Sequence, residues 1–274
     1  MSIIHCPLSI KTMSIITIKQ GALEYLIAEN IPIPHAFTGR AGGVSEGYLS
    51  SLNLGMHRGD DPKNVEKNYE IVGNALGFDP KKLVFANQIH SDIVRVVTEE
   101  DCLGSLSHRE YAQCDALVTN TPGVAIAVFT ADCTPILYYD PVTGAVGAAH
   151  AGWRGTAAGI AAKTVETMVS AFGCDPRNIR AAIGPNIGVC CFETHNDVPD
   201  AMLAALGDEA KPYIFPQGDK FRVDLKGINA HFLRRAGVEN IEIAKECTVC
   251  ESHRFWSHRV TKGERGSQIA VIIR

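Results

Sequence analysis

The 274-residue sequence predicts an α+β fold: one domain with mixed central β-sheets flanked by helices. Three observations carry this. From Ala116 onward the chain runs through short β-prone segments, DALVT, VAIAVFT, PILYYD and AVGAAHA, divided by Pro, Gly and Asp. Helical periodicity is confined to a few separate stretches. The two kinds of segment mix without strict β-α-β alternation, and no low-complexity linker, charge block or repeat of roughly 20–50 residues breaks the chain.

Taken in order, residues 1–30 read as an N-terminal extension and lead-in, and 31–274 as the single domain. MSII occurs at both Met1 and Met13, so no role is assigned to the first dozen residues. Residues 31–37 (IPIPHAF) are interrupted by proline and read as an edge strand or a lead-in loop. Residues 39–47 (GRAGGVSEG) form a glycine-rich loop. Residues 60–76 begin with Asp and Pro, then repeat Val65, Tyr69, Val72 and Leu76 at helical spacing. Residues 83–86 and 93–97 read as strands around a QIH turn. After the strand-rich centre, 156–172 reads as a helix with Thr156 as N-cap and Gly173 as its stop. A strand at 178–183, helices at 198–206 and 225–236, and strands at 241–244 and 268–273 complete the chain.

Composition narrows the function. With 46% apolar and 20% charged residues the chain has the balance of a soluble globular enzyme. A net charge of −4 argues against a protein that grips the nucleic-acid backbone, which needs a basic face. No apolar run reaches the roughly 18 residues of a membrane span, and the N-terminus lacks the charged start and cleavage site of a signal peptide. Nine cysteines, an odd number with several in apolar segments, fit free thiols in a reducing cytoplasm. The expected partners are small molecules, with no nucleic acid and no membrane, and the expected state is a monomer.

The chemistry concentrates in TADCTPILYYDPVTGAVGAAHAGWRG. Asp140-Pro141-Val142-Thr143-Gly144 has turn chemistry. A turn centred on Pro141 and Val142 folds the stretch into a hairpin with Cys133 opposite His150, at one sheet edge. A bulge at Thr143-Gly144 would shift that pairing. Asp132 would point to the other face, as a strand-end hydrogen-bond partner. A thiol and an imidazole so placed can ligate a metal or act as nucleophile and base; a buried structural cysteine beside an unrelated histidine is the plainer alternative. AGWRG supplies a glycine hinge and a helix start with free N–H groups.

These residues resemble the YfiH/laccase-domain family, also called polyphenol oxidase-like or purine nucleoside phosphorylase proteins. The resemblance runs through FTGRAGGVS, SLNLGMHRGDDPKNVEKN, NQIHSDIV, the ADC and HAGWRG blocks, AAIGPNIGVCCFE and ERGSQIAVI. It departs at Asn186, where a small residue or Cys is frequent, and in FWSHR, where FFSYR is usual. The resemblance implies a metal site of His90, Cys133 and His150, which would also be the catalytic residues. It implies a fold similar to the catalytic domain of cytotoxic necrotising factor toxins. The activity implied is phosphorolysis of adenosine, inosine and 5′-methylthioadenosine, with deamination of adenosine.

Two histidines and a cysteine leave a fourth position open, as in catalytic zinc sites, so zinc is the expected cofactor. Copper is the alternative, and a blue-copper site would want a methionine, which these motifs lack. Candidate phosphate ligands are Arg40 in the glycine-rich loop and Arg154 at the helix start. Asn53, Gln88 and Asp115 are candidates for ribose or base edges; for all five the alternative is a loop-stabilising hydrogen bond. Cys247, Cys250, His253 and His258 have metal-ligand spacing, but the resemblance includes only the first as a regular feature. Cys190 and Cys191 read as pocket-wall or core thiols, since adjacency makes joint ligation awkward. His35, His57, His195 and His231 read as structural or exposed. Competing functions are a peptidoglycan-precursor amidase acting on a UDP-muramoyl-L-serine substrate, a copper-dependent polyphenol oxidase, and a metal-dependent binding module.

Overall fold

The computed structural model describes residues 14–102, 104 and 112–274, so the first dozen residues and Cys6 lie outside the described part. Two antiparallel strands, β1 (Ile15–Gln20) and β2 (Leu23–Ala28), open it, in the segment that sequence alone reads as lead-in. The prolines of IPIP stay outside the ladder, and β3 (His35–Thr38) follows them as an interior strand between β2 and the C-terminal strand, not as an edge. Helix α1 (Pro62–Leu76) is capped by Asp61, whose carboxylate accepts the Lys63 N–H, and stops at left-handed Gly77. Then come β4 (Leu83–Phe85), β5 (Val94–Val96), β6 (Ala116–Thr119), β7 (Ala125–Thr130), β8 (Thr134–Tyr139) and β9 (Val146–Ala151).

The helix expected over 156–172 is two helices. Gly152, not Thr156, is the N-cap of α2 (Trp153–Ala157), and Gly159 in the left-handed region (φ 77°) separates it from α3 (Ile160–Phe172). Thr156 is buried inside α2 and its hydroxyl accepts from Asn229. Gly173 does stop the helix. The chain continues through β10 (Arg180–Ile183), β11 (Glu193–Thr194), α4 (Asp197–Leu206), β12 (Ile214–Gln217), β13 (Lys220–Val223), α5 (Leu225–Arg235), β14 (Asn240–Ile243), α6 (His258–Thr261) and β15 (Gln268–Ile273). The short strands β11 to β13 were not expected from sequence.

One six-stranded sheet runs β1-β2-β3-β15-β7-β4, the other β14-β10-β8-β9-β6-β5, and β11-β13-β12 form a small third sheet. Leu26, Phe37, Ile126 and Val128 of the first sheet meet Leu117, Leu137, Ala148 and Ala182 of the second in one core. Alternate residues point the other way. Ala125 and Ala127 pack under Val65, Tyr69 and Val72 of α1, while Ile136 and Tyr138 pack under Val165 and Met168 of α3 and Leu233 of α5. The layers are therefore helix, sheet, sheet, helices, and the period of two along each strand assigns each side chain to its layer. Because both faces are covered, the central strands read as nearly unbroken apolar runs. The fold is α+β with mixed sheets, as expected.

Gly184, just after β10, packs directly on the first sheet: an added Cβ would lie 2.3 Å from Phe37 Cδ1. Gly184→Ala is expected to cost roughly 1–3 kcal/mol by overpacking. The reading is a lower urea midpoint at unchanged slope; an unchanged midpoint would contradict this packing.

Candidate metal centre

The hairpin register differs from the one read from sequence. Pro135 pairs with His150, and Asp140 and Ala145 close the turn, with Gly144 in the left-handed region (φ 71°). The loop is thus longer than a two-residue turn. Cys133 lies two residues beyond the partner of His150, just outside β8. A shift of two keeps the same face, so the thiol still looks toward the imidazole.

His90 and Asp132 have backbone φ of 60° and 87°; only Lys262 shares that region among the described non-glycine residues. Such residues cost about 1–3 kcal/mol each and persist only when their surroundings hold them. Here hydrogen bonds do so. The Asp115 carboxylate accepts the backbone N–H of Ile89 (3.1 Å), His90 (3.0 Å) and Ser91 (2.7 Å), the Ser91 hydroxyl (2.7 Å) and His150 Nδ1–H (2.8 Å). The Asp132 carboxylate accepts the Thr248 hydroxyl (2.6 Å) and the Arg259 N–H (2.6 Å), and its carbonyl accepts the Ile187 N–H (2.9 Å). Asp132 is the hydrogen-bond partner that the sequence reading describes, and it holds the backbone that carries Cys133.

Burial opposes ionisation of Asp115, but the bonds from His150 and Ser91 outweigh it and hold the carboxyl at about 2. An ionised carboxylate is acceptor-only, so His150 Nδ1 must carry a proton, and in the neutral ring that ligates a metal the lone pair is then on Nε2. Burial also works against charge on Cys133 and His150. Their mutual attraction overrides it, drawing the thiol down to about 6 and, with Asp115, raising the imidazole to about 9.

The ligand atoms of His90, Cys133 and His150 all lie within 4.8 Å of one another. Gly152 packs against them: a Cβ there would sit 2.8 Å from His90 Cδ2 and 3.4 Å from Cys133 Sγ. Gly155 does the same for the turn, since its Cβ would meet the Ser91 carbonyl at 2.9 Å. The glycines of HAGWRG therefore let β9 and α2 close over QIHS. Two imidazoles, one thiol and an oriented carboxylate behind one imidazole form a donor set that fits a transition metal or zinc.

Two cavities meet at the trio. One, about 360 Å³, is lined by His90, Cys133 and His150 together with Met56, Arg58, Phe129 and Arg265. The other, about 310 Å³, shares His90, Cys133 and Arg265 but is walled by Trp153, Ile187, Phe192 and Leu225. Arg265 is half-buried, its Nε has no hydrogen-bond partner, and burial with the neighbouring Arg58 pushes the guanidinium down to about 10. Two arginines lining one cavity make a seat for an anion.

The sequence profile of the family described as "Multi-copper polyphenol oxidoreductase laccase" matches residues 34–274. The chain belongs to this family. Among its relatives, the purine nucleoside phosphorylase of Deinococcus radiodurans is 40% identical over 251 residues, covering 91% of this chain and 92% of that protein. The purine nucleoside phosphorylase YfiH of Escherichia coli is 39% identical over 235 residues, 85% of this chain and 91% of that one. The crystal structure of YlmD from Geobacillus stearothermophilus superposes with a TM-score of 0.86 at 33% identity, over 95% of this chain and 99% of that chain.

Within this family member the five substrate candidates fall unevenly. Arg40 stacks on Trp256 at 4.0 Å and donates to the Ser252 and Ser50 carbonyls; it lines neither cavity. Arg154 is exposed and stacked on Trp153 at 4.1 Å, also outside both cavities. Asn53 is fully buried and its amide bridges Gly55, Asp60 and Ser267, so it acts on the cavity wall rather than in the cavity. Asp115 is fully buried behind His150, bonded to its Nδ1, and lines neither cavity. Gln88 lines the first cavity, but both ends of its amide are taken by the Phe129 backbone. Arg58 and Arg265 are not among the sequence candidates, although each stands beside a glycine in a loop, as Arg40 does. Among the lone histidines, His35 is structural, accepting the Ala28 N–H and bonding the Ile33 carbonyl, while His57 lines the first cavity.

Gly152→Ala is expected to push His90 aside and weaken metal binding by roughly 10–100-fold, the scale for lost support of a ligand. Competition with a chromogenic chelator reads this, and an unchanged affinity would contradict the packing. A second expectation follows from Asp115. Its folded pKa lies below the ordinary carboxylate value, so its contribution, about 2 kcal/mol, is present above pH 4 or so and lost as pH falls toward about 2. Metal-free Asp115→Asn should therefore lose less stability than wild type between about pH 5 and pH 2. Parallel acid limbs in urea titrations would refute it.

Proposed function

We propose that this chain is a zinc-dependent purine nucleoside enzyme. It would split adenosine, inosine and 5′-methylthioadenosine with phosphate, giving free base and ribose 1-phosphate or its methylthio analogue, and would deaminate adenosine. The observation that carries the reading is the convergence of His90, Cys133 and His150 where a cationic cavity meets an apolar one. The names of its relatives support it.

In this reading Arg58 and Arg265 hold phosphate, and the walls formed by Trp153, Phe192 and Ile187 take the base. A phosphate oxygen then attacks C1′ of the ribose. The C1′–N9 bond breaks with its electron pair passing to the purine, which takes up a proton. Asp115 keeps His150 Nε2 turned to the centre throughout. A zinc ion held by the trio would supply Lewis acidity at its open position. The two imidazole nitrogens and one sulfur suit zinc; Met56 in the first cavity keeps copper as a second reading for the metal. The Cys133–His150–Asp115 line, with its thiolate–imidazolium polarity, supports an amidase as a second reading for the reaction.

Incubation with adenosine, with and without phosphate, tests the proposal by chromatography. Adenine should appear only with phosphate, inosine without it, and neither in Cys133→Ala. Arg265→Ala should raise KM for phosphate at least roughly tenfold, as for loss of a charge-assisted contact, and leave deamination largely intact. Absence of both products in wild type, with hydrolysis of a UDP-muramoyl-L-serine amide, would favour the amidase. Copper rather than zinc in the purified protein would overturn the metal assignment.

A further inference from the structure

We propose that Cys190, Cys191, Cys247 and Cys250 form a second metal site, a tetrathiolate that takes zinc and fastens the loop after β10 to the turn after β14. The sulfurs of all four lie within 4.8 Å of one another. Cys250 Sγ is 3.6 Å from Cys190 Sγ and 3.4 Å from Cys191 Sγ. A tetrahedral zinc with Zn–S near 2.3 Å spaces its sulfurs about 3.8 Å apart. The cluster thus has the size of a zinc cage, and its S···S separations are well beyond a bonded disulfide's roughly 2.05 Å.

The sequence reading pairs Cys247 and Cys250 with His253 and His258. The fold instead brings them to Cys190 and Cys191. Adjacency is no obstacle, because Cys191 and Phe192 both donate their N–H to the Gly188 carbonyl at 2.9 Å, and this tight turn swings both thiols to one side. Cys247-x2-Cys250 is the second half of the cage. Backbone N–H groups of Gly188, Val249 and Cys250 bond the Cys247 sulfur, the first at 3.2 Å, as a metal-bound thiolate requires of its surroundings. Gly188 is needed for room: a Cβ would lie 3.2 Å from Cys190 Sγ and 3.4 Å from Cys247 Sγ.

Charge also fits. Zinc with four thiolates carries two net negative charges. The buried Lys226 ammonium donates to the Ala244 and Glu246 carbonyls at 2.6 and 2.7 Å, and the charges acting on it come from Glu246, Asp224 and the sulfurs of Cys247 and Cys190. Arg222 and Arg259 donate to the carbonyls of Cys190 and Cys191. The role is structural, since four protein ligands leave no open position. The proposal does not depend on the reaction assigned to the cleft.

Elemental analysis of the full chain, purified without chelator, tests it. Wild type should hold two metal equivalents with at least one of them zinc. Cys190→Ser/Cys250→Ser should lose one zinc equivalent, and His90→Ala/Cys133→Ala should keep the zinc of the thiol cluster. Should the serine variant fail to fold, thiol titration of wild type decides: a chelator should free four slow thiols for this zinc. Equal metal content in wild type and the serine variant would overturn the proposal. So would iron in the cluster, or an intact mass lighter by the two hydrogens of a disulfide among these cysteines. A trio variant that loses no metal would count against the cleft reading alone.

Discussion

The site depends on one buried carboxylate. Asp115 stands at the start of β6 with its side chain fully buried, and its oxygens collect three N–H groups of the QIHS turn and the ring of His150. Burying a charge without partners would be prohibitive. With five donors the balance reverses, and the same bonds that keep the carboxylate ionised hold His90 in its left-handed backbone and fix the tautomer of His150. Its carbonyl also accepts the His150 N–H at 2.7 Å. One residue thereby sets the distance between two elements that are 60 positions apart in sequence. Replacing that carboxylate by any neutral group would leave the turn's N–H groups facing a weaker acceptor, and His90 would be free to relax out of its left-handed conformation.

Much of this was legible in the sequence because two patterns speak plainly. The helical repeat of Val65, Tyr69 and Val72 reports one buried face, and the nearly unbroken apolar runs VAIAVFT and PILYYD report strands covered on both sides. The trio was legible through motif resemblance, and its placement at one sheet edge through turn chemistry. What failed was detail that depends on loop length. Asp-Pro-Val-Thr-Gly allows a two-residue turn or a longer loop, and the β8–β9 register shows the longer one, closed by Asp140 and Ala145. The break at Gly159 was hidden because its flanks, Thr156-Ala157-Ala158 and Ile160-Ala161-Ala162, both suit a helix. For Asp115 the sequence leaves a substrate contact and a loop-stabilising hydrogen bond both open, because it shows a polar residue beside a motif but not which way it faces; the structure shows the loop bonds. Cys190 and Cys191 were set apart from Cys247 because their meeting is a tertiary event, created when Asn186 and Cys247 pair in a short parallel bridge.

Charge placement separates the arginines by what surrounds them. Arg40 and Arg154 each lie over an indole, and Arg40 also donates to two carbonyls, so their charge is already engaged on protein groups. Arg58 and Arg265 repel one another at the wall of the first cavity and both donate to the Ser267 hydroxyl, Arg265 also to the Gly266 carbonyl. A glycine-rich loop is thus a weaker pointer to an anion site than an unmet guanidinium nitrogen.

The two thiol-bearing sites are joined through Asp132. Its carboxylate binds Thr248, the residue after Cys247, and the N–H of Arg259, while its carbonyl binds Ile187, one residue before Gly188. Two of these three bonds therefore come from the segments that the four-cysteine cluster would clamp together, and the third comes from α6. Cys133 is the next residue. Ile187 and Phe192 on one segment and Arg259 beyond the other line the apolar cavity. Both segments already pack on one apolar cluster, through Ile187, Phe192 and Cys191 on one and Val249 on the other. A metal cross-link between them would act at low cost in core volume, and its effect on chemistry would pass through backbone position alone. Loosening it should disturb the geometry of Cys133 while leaving His90 and His150, which Asp115 holds from the other side, where they are.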